Sequence, residues 1–205
     1  MKLYYAPGAC SLAVHIVLEW IGAPYEAQAV KPRSPELLKV NPSGAVPALD
    51  TGEGWILTQA AAILRYLARL HPQARLAGGE SPREQAEIDR WLSFFTGDLH
   101  PAFFPVFVAQ RYTTATDDAS LKAVREAGLA LVRTRFAIME AHLQGRTFFV
   151  GDARSILDAY AFPMVRWGQA TLPGGLTHFP AIRAHHEALA REEGVRRALA
   201  AEGIG

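Results

Sequence analysis

A single cysteine, Cys10, among 205 residues excludes an intramolecular disulfide, so this chain must be held by a packed core. Charge of neither sign dominates: 21 Lys and Arg stand against 20 Asp and Glu, a formal net charge of +1. That balance excludes a strongly basic surface and argues against nucleic acid as the main partner. No uncharged apolar run reaches the ~18–20 residues needed to cross a bilayer, so no membrane partner is expected. Internal repeats and low-complexity tracts are also missing. Half of the residues are hydrophobic, the opposite of the disordered signature, and the length suffices for one large domain or two small ones.

The segment from Met1 to Leu18 carries only Lys2 as a formal charge and superficially resembles an export signal. Pro7, Gly8 and His15 interrupt its apolar stretch, and Lys2 alone makes a thin charged region. The expected compartment is the cytoplasm.

Residues 1–71 mix short strand and helix patterns. Leu3-Tyr4-Tyr5 is β-prone and ends at the turn pair Pro7-Gly8. Ser11 to Ile21 suits a buried helix that Gly22 can end. Tyr25 to Val30 alternates, with Tyr25, Ala27 and Ala29 on the inner face. Ser34-Pro35-Glu36 opens a short helix closing before Asn41-Pro42. Val46–Leu49 and Trp55–Leu57 form a hairpin, and Thr58 is placed to cap a helix whose apolar face runs from Ile63 to Leu70. The order βαβα-ββα implies a mixed sheet with helices against it.

Pro72 and Gly78-Gly79, without periodicity, mark residues 72–81 as a linker. Residues 82–205 read as all-α. Capping boxes stand at Ser81–Glu84 and Ser155–Asp158, and a long helical pattern runs from about Asp118 to Leu143.

Three short stretches carry candidate chemistry. Cys10, with the Ser11 hydroxyl beside it, sits at the expected start of the first helix, where unpaired N–H groups stabilise a thiolate. Its alternative reading is a small buried hydrophobe. Pro47 within the β-run Val46–Leu49 marks an edge position or a cis bond, and a cis bond turns the Val46 backbone toward a cleft. Thr58-Gln59-Ala60 starts a helix, and its free N–H groups form a carboxylate site or simply a cap. His15 reads as a satisfied buried histidine, and His185-His186 as a surface pair without a metal set.

Together, Tyr5-x4-Cys10, Gly44-x-Val46-Pro47-Ala48-Leu49 and Leu57-Thr58-Gln59-x3-Ile63-x2-Tyr66-Leu67 resemble the thioredoxin-like domain of glutathione S-transferases. Ser155-x2-Asp158-Ala159-Tyr160 is similar to the capping motif of that family's helical domain. The opening through Leu12 and the Asp98-Leu99-His100 stretch are similar to its bacterial beta class. The resemblance implies an α/β thioredoxin-like N-terminal domain, an all-α C-terminal domain, a homodimer and transfer of glutathione to small apolar electrophiles, as in detoxification. It implies no metal.

By the same resemblance, Tyr5, Ala9 and Cys10 line the sulfur site, Val46 beside a cis Pro47 pairs with the cysteinyl backbone, and Gln59 and Ala60 hold the γ-glutamyl end. Cys10, Ser11, Tyr5 and His100 would act on the sulfur. Phe103, Phe104, Phe107, Tyr112 and Trp167 are candidates for an apolar electrophile pocket. Gln59 replaces a frequent acid, Ala60 a serine or glycine, and Pro101 a frequent lysine; these departures imply weaker glutathione binding or a different thiol ligand. Two alternatives follow from the same residues. One is a monothiol glutathione-dependent reductase or peroxidase working through Cys10, and the other is a non-catalytic interaction module similar to the stringent starvation protein.

Overall fold

Two tyrosines in β1 (Lys2–Tyr5) set the sheet: Leu3 and Tyr5 point inward while Lys2 and Tyr4 stay partly exposed, the period of two that a half-covered strand requires. The computed structural model describes residues 1–79 and 81–205. Glu80, inside the expected linker, lies outside the described residues.

β1 pairs in parallel with β2 (Glu26–Ala29) and antiparallel with β3 (Ala48–Asp50), which pairs antiparallel with β4 (Ile56–Thr58). The strand order β2-β1-β3-β4 makes the expected mixed sheet, with Leu3 opposite Leu49 at its centre. β2 is an edge strand, so Ala27 and Ala29 remain exposed and do not form the inner face that alternation suggests. The parallel β1–β2 pair needs a crossover, supplied by α1 (Ser11–Ile21), buried from Ser11 through Leu18 and ended by Gly22 in the left-handed region (φ 72°). α2 (Pro35–Val40) starts as expected, with Ser34 accepting from Leu37 N. α3 (Ala60–Leu70) lays Ile63, Leu64, Leu67 and Ala68 into the core. Thr58 is the last residue of β4 rather than a cap; Gln59 takes the N-cap position and makes no side-chain capping bond.

Helices alone follow residue 81 among the described residues. α4 (Pro82–Phe94) opens on the Ser81–Glu84 capping box, with both reciprocal bonds formed. A π-helical turn over Phe95–Leu99 separates it from α5 (His100–Phe107), an interruption that helical periodicity does not reveal. α6 (Asp118–Leu143) is capped by Asp117, α7 (Ile156–Thr171) by the Ser155–Asp158 box, and α8 (Pro180–Ala190) and α9 (Glu193–Glu202) complete the chain. None of the helices in the described residues is long and apolar enough to cross a membrane.

The histidine pair is not on the surface. His185 is buried and bonds Asp158 Oδ1 at 2.8 Å, while His186 stacks on Phe162. Burial, with Arg166 second, holds the His186 pKa down at about 4. Both side chains fill space between α7 and α8, which an isolated dipeptide does not disclose.

The halves share one core. Buried apolar side chains of α1 and α3 are continuous with those of α4 through α9. Ile156 N donates to Leu76 O at 3.0 Å, Arg65 on α3 binds Gln85 and Asp89 on α4, and Arg197 on α9 pairs with Glu19 on α1.

Candidate functional site

The turn after β1 is built by short local bonds. Ala9 N donates to Ala6 O at 3.0 Å and Leu12 N to Ala9 O at 3.0 Å, so the chain swings from strand into α1 with Cys10 at the N-cap. Gly8 adopts φ 70°, a left-handed conformation that permits this tight reversal. A second turn faces Cys10. Buried Asn41 donates from its amide to Ala45 O at 2.7 Å and accepts from Ser43 N at 3.1 Å, fixing the approach to Val46. Gly44 (φ 64°) has no room for a side chain, since a Cβ there would lie 3.1 Å from Arg33 Cα. Val46-Pro47 is a cis peptide bond.

These turns bring Cys10 and Val46 together: the thiol donates to Val46 O at 3.3 Å. Cys10 is 8% exposed. Burial pushes its pKa up to about 12, outweighing the N–H groups of Cys10 and Ser11 that favour the thiolate. The helix start therefore does not make Cys10 a thiolate, contrary to the sequence expectation. At neutral pH it is a thiol donor.

That state has a measurable consequence. With a pKa near 12, the thiolate fraction at pH 7 is of order 10⁻⁵, so alkylation of Cys10 by iodoacetamide is expected to run roughly a thousandfold slower than for an unperturbed cysteine. Because the pKa is raised, the rate climbs about tenfold per pH unit between pH 7 and 10. A plateau near pH 8.5 in a stopped alkylation series contradicts this picture.

Three other expected residues stand differently. The Ser11 hydroxyl is buried and engaged with Ala6, accepting from its N–H at 3.2 Å and donating to its C=O at 3.3 Å. It ties the β1–α1 turn together and is not free to donate to a ligand sulfur. The Tyr5 hydroxyl donates to Ala201 O on α9 at 3.3 Å, and burial, with Glu202 second, raises its pKa. Tyr5 thus joins the halves. Phe103 is fully buried in the helical core, not a pocket wall.

Of the remaining aromatics, Phe104, Phe107 and Trp167 gather with His100 in a partly open cluster on α5 and α7. His100 lies 5.0 Å from the Phe104 ring and 5.2 Å from Trp167, and burial holds its pKa down at about 4. At neutral pH it is an uncharged imidazole. Phe104 and Phe107 are exposed, and Phe107 meets Trp167 edge-on at 5.5 Å. Tyr112 is exposed after α5. Trp167 also donates from Nε1 to Gly8 O at 2.8 Å, so this aromatic wall touches the turn that carries Cys10. Tyr160, part of the motif that opens α7, is buried there; burial raises its pKa, with the neighbouring Cys10 second.

The first turn of α3 has no side-chain cap, and Gln59 before it is exposed, with φ 71°. A non-glycine residue in that region is strained, as is common where backbone must present itself to a ligand. The N–H groups of the first turn, from Ala60 on, are left without a side-chain cap, the kind of helix start that can accept an anion.

Two glutathione S-transferase models match the chain: the N-terminal domain over residues 8–70 and the C-terminal domain over 99–193. The chain therefore belongs to the glutathione S-transferase family of enzymes. It is 41% identical to glutathione S-transferase GST-4.5 of Xanthomonas campestris pv. campestris over all of both chains. Among solved structures, a bacterial beta class glutathione S-transferase of Sphingomonas chungbukensis is 33% identical, with TM-score 0.88 over all of both chains. A sphingomonad glutathione S-transferase complexed with glutathione is 35% identical, with TM-score 0.87, again over all of both chains. The protein is a beta-class-like member of bacterial type.

Proposed function

We propose that this protein conjugates glutathione to small apolar electrophiles. The observation that carries the reading is the meeting of the Cys10 thiol with Val46 O at 3.3 Å, in a domain whose α3 start lacks a cap. Glutathione would pair with the Val46 backbone as an added strand does, and its γ-glutamyl carboxylate would take the N–H groups at Ala60. Gln59 can hydrogen-bond the ammonium group without neutralising it.

Cys10 works here as a neutral donor. A thiol near pKa 12 keeps its proton beside a glutathione sulfur, whose own pKa lies near the ordinary ~8.5. Rotating from Val46 O to that sulfur, Cys10 Sγ–H would stabilise the bound thiolate together with the N–H groups of Cys10 and Ser11. His100, uncharged, would add a single hydrogen bond. Phe104, Phe107, Tyr112 and Trp167 would hold the electrophile in line for attack. The same burial disfavours the monothiol route, which needs Cys10 as a thiolate nucleophile.

A homodimer in the cytoplasm completes the reading, with division at residues 72–81. The groove of about 520 Å³ between Trp55, Leu57, Tyr66 and Leu70, mostly apolar and flanked by Arg65 and Arg69, is the surface offered to a second copy. Calorimetric titration with glutathione, followed by conjugation of a model aryl halide, tests the proposal. Binding with turnover that drops about tenfold or more in Cys10→Ala is expected. No heat at millimolar glutathione, or full turnover in that variant, overturns it.

A further inference from the structure

Glu202 closes α9, yet its carboxylate lies against the start of the chain. Its side chain is fully buried, and so, nearly, is that of His15. Oε1 sits 3.0 Å from His15 Nδ1 on α1, and Oε2 accepts from Gly8 N at 2.8 Å. The other polar atom of Gly8, its C=O, accepts from Trp167 Nε1 at 2.8 Å. Gly8 is therefore gripped on both backbone groups by side chains of the helical half.

A buried carboxylate is costly unless fully partnered, and simple docking of the halves does not need one. Docking is already made by the shared core, by Ile156 N on Leu76 O and by the more exposed Arg197–Glu19 pair. What Glu202 adds is specific to the turn from Gly8 into Cys10. With Gly8 at φ 70° two residues before the thiol, a change in its peptide planes swings Cys10 and so draws its Sγ off Val46 O. We propose that Glu202 is a positioning residue for the thiol site, acting through Gly8, with Trp167 as the opposite jaw of the same clamp. The catalytic consequence rests on the glutathione reading above; the clamping itself does not.

Two measurements on the full-length protein separate these layers. Hydrogen–deuterium exchange over residues 6–12, recorded without glutathione, is expected to accelerate about tenfold in Glu202→Ala, to stay near wild type in Glu202→Gln and to be unchanged in Arg197→Ala. Steady-state kinetics are expected to show kcat/KM for glutathione falling about 10- to 100-fold in Glu202→Ala, with KM for the electrophile unchanged and most of the loss rescued in Glu202→Gln. If Glu202→Ala does not fold, Trp167→Phe releases the Gly8 C=O alone and supplies the same exchange comparison. Wild-type exchange over 6–12 in the alanine variant, or in Trp167→Phe where it substitutes, overturns the inference. Equal losses in Glu202→Ala and Arg197→Ala also overturn it, since both would then report docking only. A wild-type protein that takes no glutathione overturns the proposed function, and the exchange data still decide the clamp.

Discussion

Asp158→Ala is expected to lower stability by about 4–6 kcal/mol, enough to unfold much of the population of a domain whose total is typically ~5–15 kcal/mol. Asp158 is fully buried, and both of its oxygens are taken. Oδ2 accepts from Ser155 N at 2.7 Å and Ser155 Oγ at 3.0 Å, while Oδ1 accepts from Phe149 N at 3.1 Å and pairs with His185 Nε2 at 2.8 Å. Loss of the cap alone costs ~0.5–2 kcal/mol. The larger part comes from leaving the Ser155 and Phe149 amides and the His185 ring nitrogen without partners in a dry interior, at ~1–3 kcal/mol each. Asp158→Asn keeps acceptor capacity and is expected to recover part of the loss. Urea denaturation followed by circular dichroism measures both, and a change below ~1 kcal/mol in the alanine variant refutes the assignment.

The second large effect comes from adding a single methyl group. A Cβ on Gly168 would lie 2.4 Å from Phe136 Cε2 and Cζ. Phe136 is fully buried and meets Phe103 and Phe179 edge-on, so its ring has nowhere to retreat. Gly168→Ala must therefore push α6 and α7 apart. Overpacking of this severity costs about 3 kcal/mol, more than the ~1 kcal/mol by which alanine improves on glycine in a helix. The disturbance begins beside Trp167, so turnover is expected to fall along with thermal stability. Gly168→Ala combined with Phe136→Leu relieves the clash and is expected to be more stable than the glycine variant alone. Independent, additive losses in the double variant contradict this account.

Local rules disclosed much of this chain because the signals they use are local. The two capping boxes at Ser81 and Ser155 form as their spacing requires, Gly22 ends α1, and the mixed βαβα-ββα order follows from turn chemistry and alternation. Cys10 and Val46 were legible as separate motifs, and only the fold brings them into contact. Other features escaped for one physical reason: they depend on what a residue meets far along the chain. Nothing near Ser11 tells that its hydroxyl closes on Ala6, and nothing near Cys10 tells that burial defeats the helix start. Phe103 and Phe107 look alike in sequence, but one faces the core and the other solvent. The π-helical turn at Phe95–Leu99 shifts helical phase without a proline or glycine pair to announce it, Gly97 alone being weak punctuation. Glu202 reaches Gly8 across 194 positions, which no periodicity records.

That last contact limits how such chains can be reshuffled. A hybrid joined between residues 72 and 81 would look modular, because each parent contributes an intact sheet or an intact helical bundle. Its thiol turn would nevertheless come from one parent and the carboxylate and indole that hold it from the other. Hybrids that keep a glutamate and a tryptophan in register with Gly8 and His15 inherit a seated cysteine; those that lose either inherit a fold whose first turn is left to set itself.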